Sequence, residues 1–280
     1  MNKVVGCYRF VCALFFALAC ILLVLFYLQW VKPEAKRNII QSWARTFIKL
    51  VGMKFSVQGE VYDKSCLMVA NHISFVDIFA LNALKPGRFI AKSEIAGWPV
   101  FGRIAKGVDT LFIERKNHRS IIAVNEKISA ALMQKQTVML FPEGKTSIGV
   151  SLLPLKANLI EPAVLSGTPV QPVAICYTEN GQKTTKASYA NISIFDCLWT
   201  ICSTPGLAVT LKVLPIIDVT GKTRHEVAQE AAASMSQAMG VPNPMQNQPE
   251  GLHHHCDAVG SGKKWLKDPI IQKDRSIGAL

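Results

Sequence analysis

A histidine and an aspartate five residues apart are the residues of this sequence whose types and spacing best support catalysis. His72 and Asp77 lie in the run Asn-His-Ile-Ser-Phe-Val-Asp, which follows the apolar run Leu67–Ala70. If the ring folds back on the carboxylate, the pair is a general base, because one nitrogen is held while the other takes a hydroxyl proton. The alternative is a plain helix cap beside an incidental loop histidine, since Ser74 and Asp77 also fit the Ser-x-x-Asp pattern that begins a helix.

A second stretch, Phe-Pro-Glu-Gly at residues 141–144, follows another apolar run and ends in residues suited to substrate binding. Glu143 can accept a hydrogen bond from a hydroxyl or orient a cation. Gly144 permits close approach of the backbone. The alternative is an ordinary strand-to-loop turn.

Three further stretches have both a chemical and a structural interpretation. Arg115, at the end of Phe-Ile-Glu-Arg, could bind a phosphate or carboxylate through two parallel hydrogen bonds, or could be a surface arginine paired with an acid. Pro172 interrupts the apolar run Val170–Ala174, which predicts an edge strand or the lip of a pocket. The run His253–Cys256 could bind a transition metal, but three adjacent histidines cannot all face one ion, so we predict no metal site there.

The elements that must position these residues alternate between strands and helices. Short apolar or β-branched runs bounded by Gly, Pro and polar residues predict strands. They are Leu67–Ala70, Arg88–Ala91, Thr110–Ile113, Val138–Phe141, Val170–Cys176 and Ala208–Leu214. Helices are predicted after Asn117 and from about Thr223 to Gly240. The alternation predicts an α/β fold with a mixed, mostly parallel sheet flanked by helices, and both catalytic candidates follow strand ends, where active sites of such sheets collect.

The N-terminal residues predict attachment to a membrane. No charged residue occurs from Phe10 to Val31, which is long enough for a membrane-crossing helix and longer than the apolar core of a signal peptide. An amphipathic, basic stretch follows and predicts a helix at a membrane surface, or one packed on the domain. We therefore predict an anchor at 1–52, an α/β domain at 53–240 and a poorly ordered tail at 241–280. The positive charges after the anchor favour a domain on the cytoplasmic face, although charge at both ends also permits a re-entrant helix.

Charge and cysteine content narrow the function further. A formal net charge of +12 suggests an anionic partner, such as a membrane surface or a phosphate-bearing substrate. The basic residues are scattered or close to the predicted anchor and no nucleic-acid-binding motif occurs, so no nucleic-acid partner is predicted. The eight cysteines show no Cys-x-x-Cys spacing, which indicates reduced thiols. The absence of Gly-x-Ser-x-Gly and of a Walker A loop disfavours a hydrolase or a nucleotide-binding enzyme.

Together, the four stretches resemble, in type and order, the motifs of the lysophosphatidic acid acyltransferase family (1-acyl-sn-glycerol-3-phosphate acyltransferases). The resemblance covers roughly residues 57–217. It implies that His72 deprotonates the acceptor hydroxyl and that Asp77 orients His72. It also implies that Asn71, Arg115, Glu143, Gly144 and Lys145 bind substrate. The acyl donor would be acyl-CoA or acyl carrier protein, as a co-substrate, with no cofactor and no metal.

Two positions depart from the family pattern, and both lie on the acceptor side. Gly144 is followed by Lys145-Thr146-Ser147 where the family usually has Thr-Arg-Ser, so the family's arginine is missing and Lys145 could replace its charge. Asp109 stands where the second motif often has glycine. The sequence after Gly144 is similar to the branch that contains lyso-ornithine-lipid acyltransferases. The leading expectation is acylation of 1-acyl-glycerol-3-phosphate to phosphatidic acid. The alternatives are acylation of another lysolipid, such as lyso-ornithine lipid, and a non-catalytic lipid-binding protein of the membrane.

Overall fold

The computed structural model describes residues 3–99, 101–113 and 118–246. Helices α1 to α8 span Lys3–Phe26, Pro33–Leu50, Val76–Leu84, Phe101–Gly107, His118–Met133, Glu161–Ser166, Ile194–Ser203 and Arg224–Met239. Strands β1 to β8 span Lys54–Gln58, Leu67–Ala70, Arg88–Lys92, Leu111–Ile113, Val138–Leu140, Val170–Glu179, Gln182–Lys183 and Leu207–Val213. Short 3-10 turns join several of these elements.

The strands form one sheet in the order β1-β8-β6-β2-β5-β3-β4, and β7 pairs with the end of β6. Strands β6, β2, β5, β3 and β4 run parallel, whereas β8 is antiparallel to β6 and parallel to β1. The mixed, mostly parallel sheet predicted from the sequence is therefore confirmed. Each of the six predicted strands is present. Leu67–Ala70 matches β2 at both ends, and each of the other five differs from its prediction by one to three residues at one end or both.

The sheet separates two hydrophobic cores, because alternate side chains of a strand point to opposite faces. On β2, Met68 and Ala70 face the core that contains residues of α1, α2, α3 and α7. Leu67 and Val69 face the core built with α5, α6 and α8. The molecule thus has three layers, with the N-terminal helices on one side of the sheet.

The prediction of an edge strand at Pro172 is wrong. Strand β6 lies between β2 and β8 and is buried over most of its length. Pro172 accepts a hydrogen bond from the Leu214 N–H but has no N–H to return. The side chain of Gln171 replaces the missing donor, because its Nε2 lies 3.3 Å from the Leu214 carbonyl oxygen. A neighbouring glutamine therefore allows proline inside the sheet.

Helix α8 shows how local sequence fixes an element. Thr223 and Glu226 form a reciprocal capping box at its start, and Gly240 ends it in the left-handed conformation with φ +63°. The buried residues of α8 all face the second core. They are Val227, Ala228, Ala231, Ala232, Met235, Ser236 and Met239. The predicted helix is confirmed to within one residue of both expected ends.

Helix α1 is apolar and long enough to cross a membrane by length and composition, and only 22% of its apolar window is buried against the protein. Both of its ends contact the domain. Gly6 packs against Ser203 of α7, and Val24 packs against Gly107 of α4. These two contacts lie 18 residues apart along α1, roughly 27 Å of helix, so α1 lies along the domain over most of its length.

Helix α2 begins at Pro33, a favoured first helical residue, and returns beside α1. Ala44, Phe47 and Ile48 are buried in the first core, and Phe47 stacks on Phe79 of α3 with ring centroids 4.0 Å apart. The predicted amphipathic helix is therefore present, and its apolar side packs on the domain.

Candidate active site

Asp77, in the first turn of α3, is the centre of a fully buried hydrogen-bond network. Its Oδ2 lies 2.9 Å from His72 Nδ1 and also accepts hydrogen bonds from the backbone N–H groups of Ile73 and Ser74, at 2.7 and 2.8 Å. Its Oδ1 accepts a 2.6 Å hydrogen bond from the Tyr177 hydroxyl. Four donors thus surround a carboxylate with no exposed surface, so its negative charge is compensated without water. The ring of His72 folds back on Asp77 as the sequence predicts.

Ser74 only partly behaves as the predicted cap. Asp77 accepts the Ser74 N–H, which is one half of a capping box, but the Ser74 hydroxyl accepts from the Val76 N–H at 3.3 Å. The expected hydroxyl bond to Asp77 N is absent, because that N–H donates to the Ser74 carbonyl at 3.1 Å. The predicted bond from the Ser74 N–H to the Asp77 carboxylate is therefore present, and the predicted bond from the Asp77 N–H to the Ser74 hydroxyl is wrong.

The loop that carries His72 is fixed to both strands that flank β2. Asn71 makes two hydrogen bonds with the backbone of Ile175 in β6, at 3.0 and 2.7 Å. On the other side, the His72 N–H donates to Glu143 Oε1 at 3.1 Å, and the His72 carbonyl accepts from the Ser147 N–H at 2.8 Å. Asn71 thus contacts the backbone, which is a structural role. The structure brings together the stretches that follow β2 and β5, as expected for neighbouring parallel strands.

Two aromatic rings hold the His72 imidazole. Phe141 stacks on it with centroids 4.0 Å apart and planes 13° from parallel, and Tyr189 meets it edge-on at 6.2 Å. The His72 side chain keeps 16% of its surface exposed. Because Nδ1 faces Asp77, Nε2 is the nitrogen left for a substrate proton.

Glu143 is buried, with 4% of its surface exposed, beside His72. Burial, together with the nearby charge of Asp77, raises the pKa of Glu143 from its ordinary value of 4.5 to about 8, against the lowering effect of the His72 N–H hydrogen bond. Among the described residues Oε2 forms no hydrogen bond of standard geometry, although the Leu153 N–H lies close enough to the carboxyl to lower its pKa. A protonated Glu143 can therefore donate from Oε2 to a hydroxyl or carbonyl oxygen of a ligand.

Gly144 places two lysines close to Glu143. Its φ of +75° favours glycine, and a Cβ at this position would lie 2.6 Å from Lys156 Nζ. Lys156 is held to the same loop, because its N–H donates to the Pro142 carbonyl at 3.0 Å. Lys145 and Lys156 are both exposed, so two cations lie where the resemblance expects one arginine.

Tyr177 is the site residue that sequence reasoning missed. It lies on β6, 100 residues after Asp77, and its hydroxyl reaches the carboxylate from below the loop. Burial and the charge of Asp77 raise the pKa of Tyr177 well above its ordinary value, so it remains a hydrogen-bond donor. The only signal in the sequence is a tyrosine inside a buried strand, whose hydroxyl must find a partner.

Two predicted features lie outside the described residues. These are Arg115 and the run His253–Cys256. Within residues 3–99, 101–113 and 118–246 no group of three or more His, Cys, Asp or Glu side chains could hold a metal ion.

The arrangement is suited to removing a proton from a hydroxyl at the edge of the sheet. His72 has one nitrogen held by a buried carboxylate and the other facing an open side. A buried acid and two exposed cations lie beside it for the polar part of a ligand. The His72 ring stacks on Phe141, meets Tyr189 edge-on and hydrogen-bonds to Asp77.

Comparison with known proteins identifies relatives of the whole domain. The acyltransferase family model matches residues 35–176. The chain is 35% identical over 189 residues to a 1-acyl-sn-glycerol-3-phosphate acyltransferase of Neisseria meningitidis serogroup B, covering 66% of this chain and 74% of the relative. It is 30% identical over 213 residues to a lyso-ornithine lipid O-acyltransferase of Pseudomonas aeruginosa, covering 75% and 82%.

A solved structure has the same fold. The crystal structure of the 1-acyl-sn-glycerophosphate acyltransferase PlsC from Thermotoga maritima aligns with a TM-score of 0.68 at 23% identity. The alignment covers 86% of this chain and 97% of that chain.

Proposed function

This chain belongs to the acyltransferase family, and on that premise we propose that it moves a fatty acyl group onto the free hydroxyl of a lysolipid, with His72 as the general base. The chain is an enzyme of that family, and its relatives act on lysophosphatidic acid or on related lysolipids. The observation that carries the proposal is the 2.9 Å contact between His72 Nδ1 and a buried, four-fold hydrogen-bonded Asp77.

In the proposed reaction, His72 Nε2 takes the proton of the acceptor hydroxyl as its oxygen attacks the thioester carbonyl carbon of the acyl donor. The carbon–sulfur bond breaks, an ester forms, and the proton passes from His72 to the departing thiolate. Asp77 fixes the ring nitrogen that must stay protonated and stabilises the imidazolium that forms. No covalent acyl-enzyme is required. The donor, acyl-CoA or acyl carrier protein, stays a prediction.

We propose 1-acyl-glycerol-3-phosphate as the acceptor and phosphatidic acid as the product. Glu143 would donate to the glycerol part, and Lys145 and Lys156 would attract the phosphate. Arg115 stays a prediction for the same role. Two lysine ammonium groups tolerate different anionic head groups better than one arginine does. The planar guanidinium fixes the directions of its hydrogen bonds, whereas an ammonium group does not. This favours lyso-ornithine lipid, which carries a carboxylate, as the second candidate.

One experiment tests both the base and the acceptor. Membranes containing the chain are supplied with a labelled acyl thioester and with either lysophosphatidate or lyso-ornithine lipid. We expect His72→Ala to lower the rate by about 10²–10⁴-fold, the usual contribution of a positioned base. His225→Ala, a histidine of α8 in the opposite layer, is the matched control and should retain full activity.

Full activity in His72→Ala, with normal amounts of protein, would overturn the mechanism. Preference of the native chain for lyso-ornithine lipid would replace the leading acceptor with the second candidate. Lipid binding without turnover of either acceptor would favour the non-catalytic alternative.

We also propose that the chain works at a membrane surface, with the domain on the cytoplasmic face. The relatives act on membrane lipids, and α1 is an apolar helix that leaves most of its surface uncovered. Because both ends of α1 contact the domain, the helix would lie in the surface of the bilayer beside the domain or dip into it and return.

A further inference from the structure

Helix α7 carries large apolar side chains on its solvent side. Phe195 is 59% exposed and Trp199 is 40% exposed, and Ile192, just before the helix, is 46% exposed. Phe195 and Trp199 are four residues apart, so they lie on one face of the helix, and Ile192 precedes the capping residue Ser193. The opposite face is also apolar, since Cys197 and Ile201 are fully buried. Exposing the second apolar face of such a helix to water is unfavourable, so another apolar surface is expected to cover it.

The opposite layer shows the ordinary pattern for a water-facing helix. On α8 the buried face is apolar, while the exposed positions are mostly polar or charged. They are His225, Glu226, Gln229, Glu230, Ala233 and Gln237. The outer surface of α7 is therefore more apolar than that of α8, although α5 and α6, in the same layer as α8, also expose Ile122, Met133 and Leu165.

Helix α7 packs alongside α1 in an antiparallel register. Gly6 contacts Ser203, and Phe10 meets Trp199 edge-on with ring centroids 5.7 Å apart. Gly6 and Phe10 are four residues apart on α1, as Ser203 and Trp199 are on α7. One further turn along each helix therefore brings Leu14 beside Phe195. Leu14 is itself 42% exposed, and the next residue, Phe15, is 68% exposed. The exposed apolar surfaces of the two helices are thus continuous.

We propose that α7 is a second membrane-contacting element, whose residues Ile192, Phe195 and Trp199 enter the bilayer surface beside α1. The bilayer is the occupant because the surface continues the uncovered face of α1, the one helix among the described residues long and apolar enough for a membrane. A tryptophan flanked by apolar residues at the edge of such a surface is typical of the membrane interface.

The charge of Asp196 limits how deep α7 lies. Asp196 is exposed on the first turn and accepts a 2.6 Å hydrogen bond from the Ser193 hydroxyl, which caps the helix. A carboxylate is costly in the hydrocarbon core, so this turn stays at the level of the head groups. Helix α7 therefore lies parallel to the surface at shallow depth.

The position of α7 bears on how a lipid reaches His72. Tyr189, which touches the His72 ring edge-on, precedes α7 by five residues, and its N–H donates to the Ile73 carbonyl at 3.3 Å. A bilayer in contact with α7 thus lies next to the Tyr189 side of the site. The membrane contact itself rests on the exposed surface and not on the proposed reaction.

The experiment places a new tryptophan on each layer. Phe195→Trp adds a reporter to α7, and Leu165→Trp, at a 71% exposed residue of α6 in the opposite layer, is the matched control. The full chains are reconstituted in phosphatidylcholine–phosphatidylglycerol vesicles with or without lipids brominated on one acyl chain. Fluorescence added by each substitution is measured against the native chain.

We expect bromolipid to quench the fluorescence added at position 195 at least about twofold, because bromine quenches only tryptophans that enter the acyl region. The fluorescence added at position 165 should be unchanged. Absence of quenching at both positions would overturn the proposal, and equal quenching at both would do so as well. The measurement needs no turnover, so its failure is separate from a failure of the proposed function.

A second variant pair tests the same surface by activity. Phe195→Gln removes an exposed apolar side chain and is expected to raise the KM for vesicle-borne lysophosphatidate severalfold without changing kcat. Leu165→Gln should change neither. An unaltered KM in Phe195→Gln would count against a bilayer contact at α7.

Discussion

Asp77 is held by groups that the chain brings from two places far apart in sequence. The loop supplies the His72 ring and two backbone N–H groups, all within five residues, and β6 supplies the Tyr177 hydroxyl. The loop contacts fix the position of the Asp77 carboxylate, whereas the Tyr177 hydroxyl supplies the hydrogen-bond donor to its other oxygen, Oδ1. A substitution that removes only the Tyr177 hydroxyl therefore changes the electrostatic surroundings of the Asp77 carboxylate, with little change in the geometry of the loop.

Replacing Tyr177 by phenylalanine is predicted to lower kcat with little change in KM. Loss of the 2.6 Å hydrogen bond leaves Oδ1 of Asp77 buried without its donor, so the carboxylate that positions His72 is held less firmly. The free energy of unfolding should fall by about 1–3 kcal/mol, the cost of a buried unsatisfied acceptor.

Tyr62→Phe is the control, because Tyr62 lies near Gln171, at the other end of β6 from Tyr177. A lower stability of Tyr177→Phe with an unchanged kcat would mean that Tyr177 serves the fold alone and does not help to position the Asp77 carboxylate.

Glu143→Gln is predicted to change how stability depends on pH. Since burial raises the pKa of Glu143 from 4.5 to about 8, the folded state keeps a proton that the unfolded chain releases. The resulting stability is fully present below about pH 4.5 and is lost as pH rises to about 8. Glutamine cannot ionise in either state, so the variant should lack this decline.

Unfolding of both chains in mild detergent at several pH values between about 5 and 8 measures the difference. Glu126→Gln, at an exposed glutamate of α5, is the control and should follow the native curve. Parallel curves for Glu143→Gln and the native chain would show that Glu143 ionises alike in both states.

At the residue scale, the sequence predicts contacts that are local and misses those that are not. The pairing of His72 with Asp77 follows from five residues and one helix start. The bond from Tyr177 needs the register of β6 against β2, and the approach of Lys156 to Gly144 needs the path of the loop after β5. Neither depends on a local pattern, so only the structure reveals them.

At the scale of elements, strand β6 is an exception to the rule that a proline within a strand indicates the edge of a sheet. Proline in a strand indicates an edge, yet Pro172 lies in the interior of the sheet because the Gln171 side chain donates to the Leu214 carbonyl. The six strands were predictable because their apolar runs are bounded by Gly, Pro and polar residues. Their order was not, because it depends on long connections whose packing no local pattern records.

The backbone conformation of Asp109 explains why this position can hold aspartate where the family often has glycine. It adopts a left-handed conformation with φ +59°, which glycine adopts freely and aspartate tolerates. Its side chain forms an ion pair with Lys36 of α2. The residue that replaces glycine thus links the turn before β4 to an N-terminal helix.

Gly107→Val is predicted to separate α4 from the end of α1. A Cβ at Gly107 would lie 2.2 Å from Val24 Cγ1, so a valine forces the two helices apart. We expect the free energy of unfolding to fall by about 1–3 kcal/mol, as in other overpacked contacts, and hydrogen exchange to increase in the second half of α1.

Gly97→Val is the matched control, because a Cβ at Gly97 would meet no atom within 4 Å. Unaltered exchange in α1 of the Gly107→Val chain would show that this end of the helix is not held by α4.

At the scale of the whole molecule, the N-terminal helices are part of the folded domain as well as its link to a membrane. Ala13 is buried in the first core, and Phe16 packs on Phe47 with ring centroids 5.9 Å apart. The sequence predicts an apolar helix here, but its packing along α7 and α4 could not be predicted, because an apolar segment contacts lipid and protein equally well.

Removal of residues 1–31 is therefore predicted to destabilise the domain in addition to releasing it from membranes. It removes the contacts of Phe16 with Phe47 and of Phe10 with Trp199. Thermal unfolding in detergent should occur several degrees lower than in the full chain. A soluble truncated chain with an unchanged midpoint would mean that α1 is only a tether.

The contact of both ends of α1 with one domain has a consequence for the bilayer itself. A helix held in this way reaches only the leaflet that faces the domain. Each proposed turnover would turn a single-chain lipid into a two-chain lipid in that leaflet and leave the other unchanged. The working leaflet would then gain area relative to its partner, and sustained activity would require membrane bending or movement of lipid between leaflets to relieve the difference.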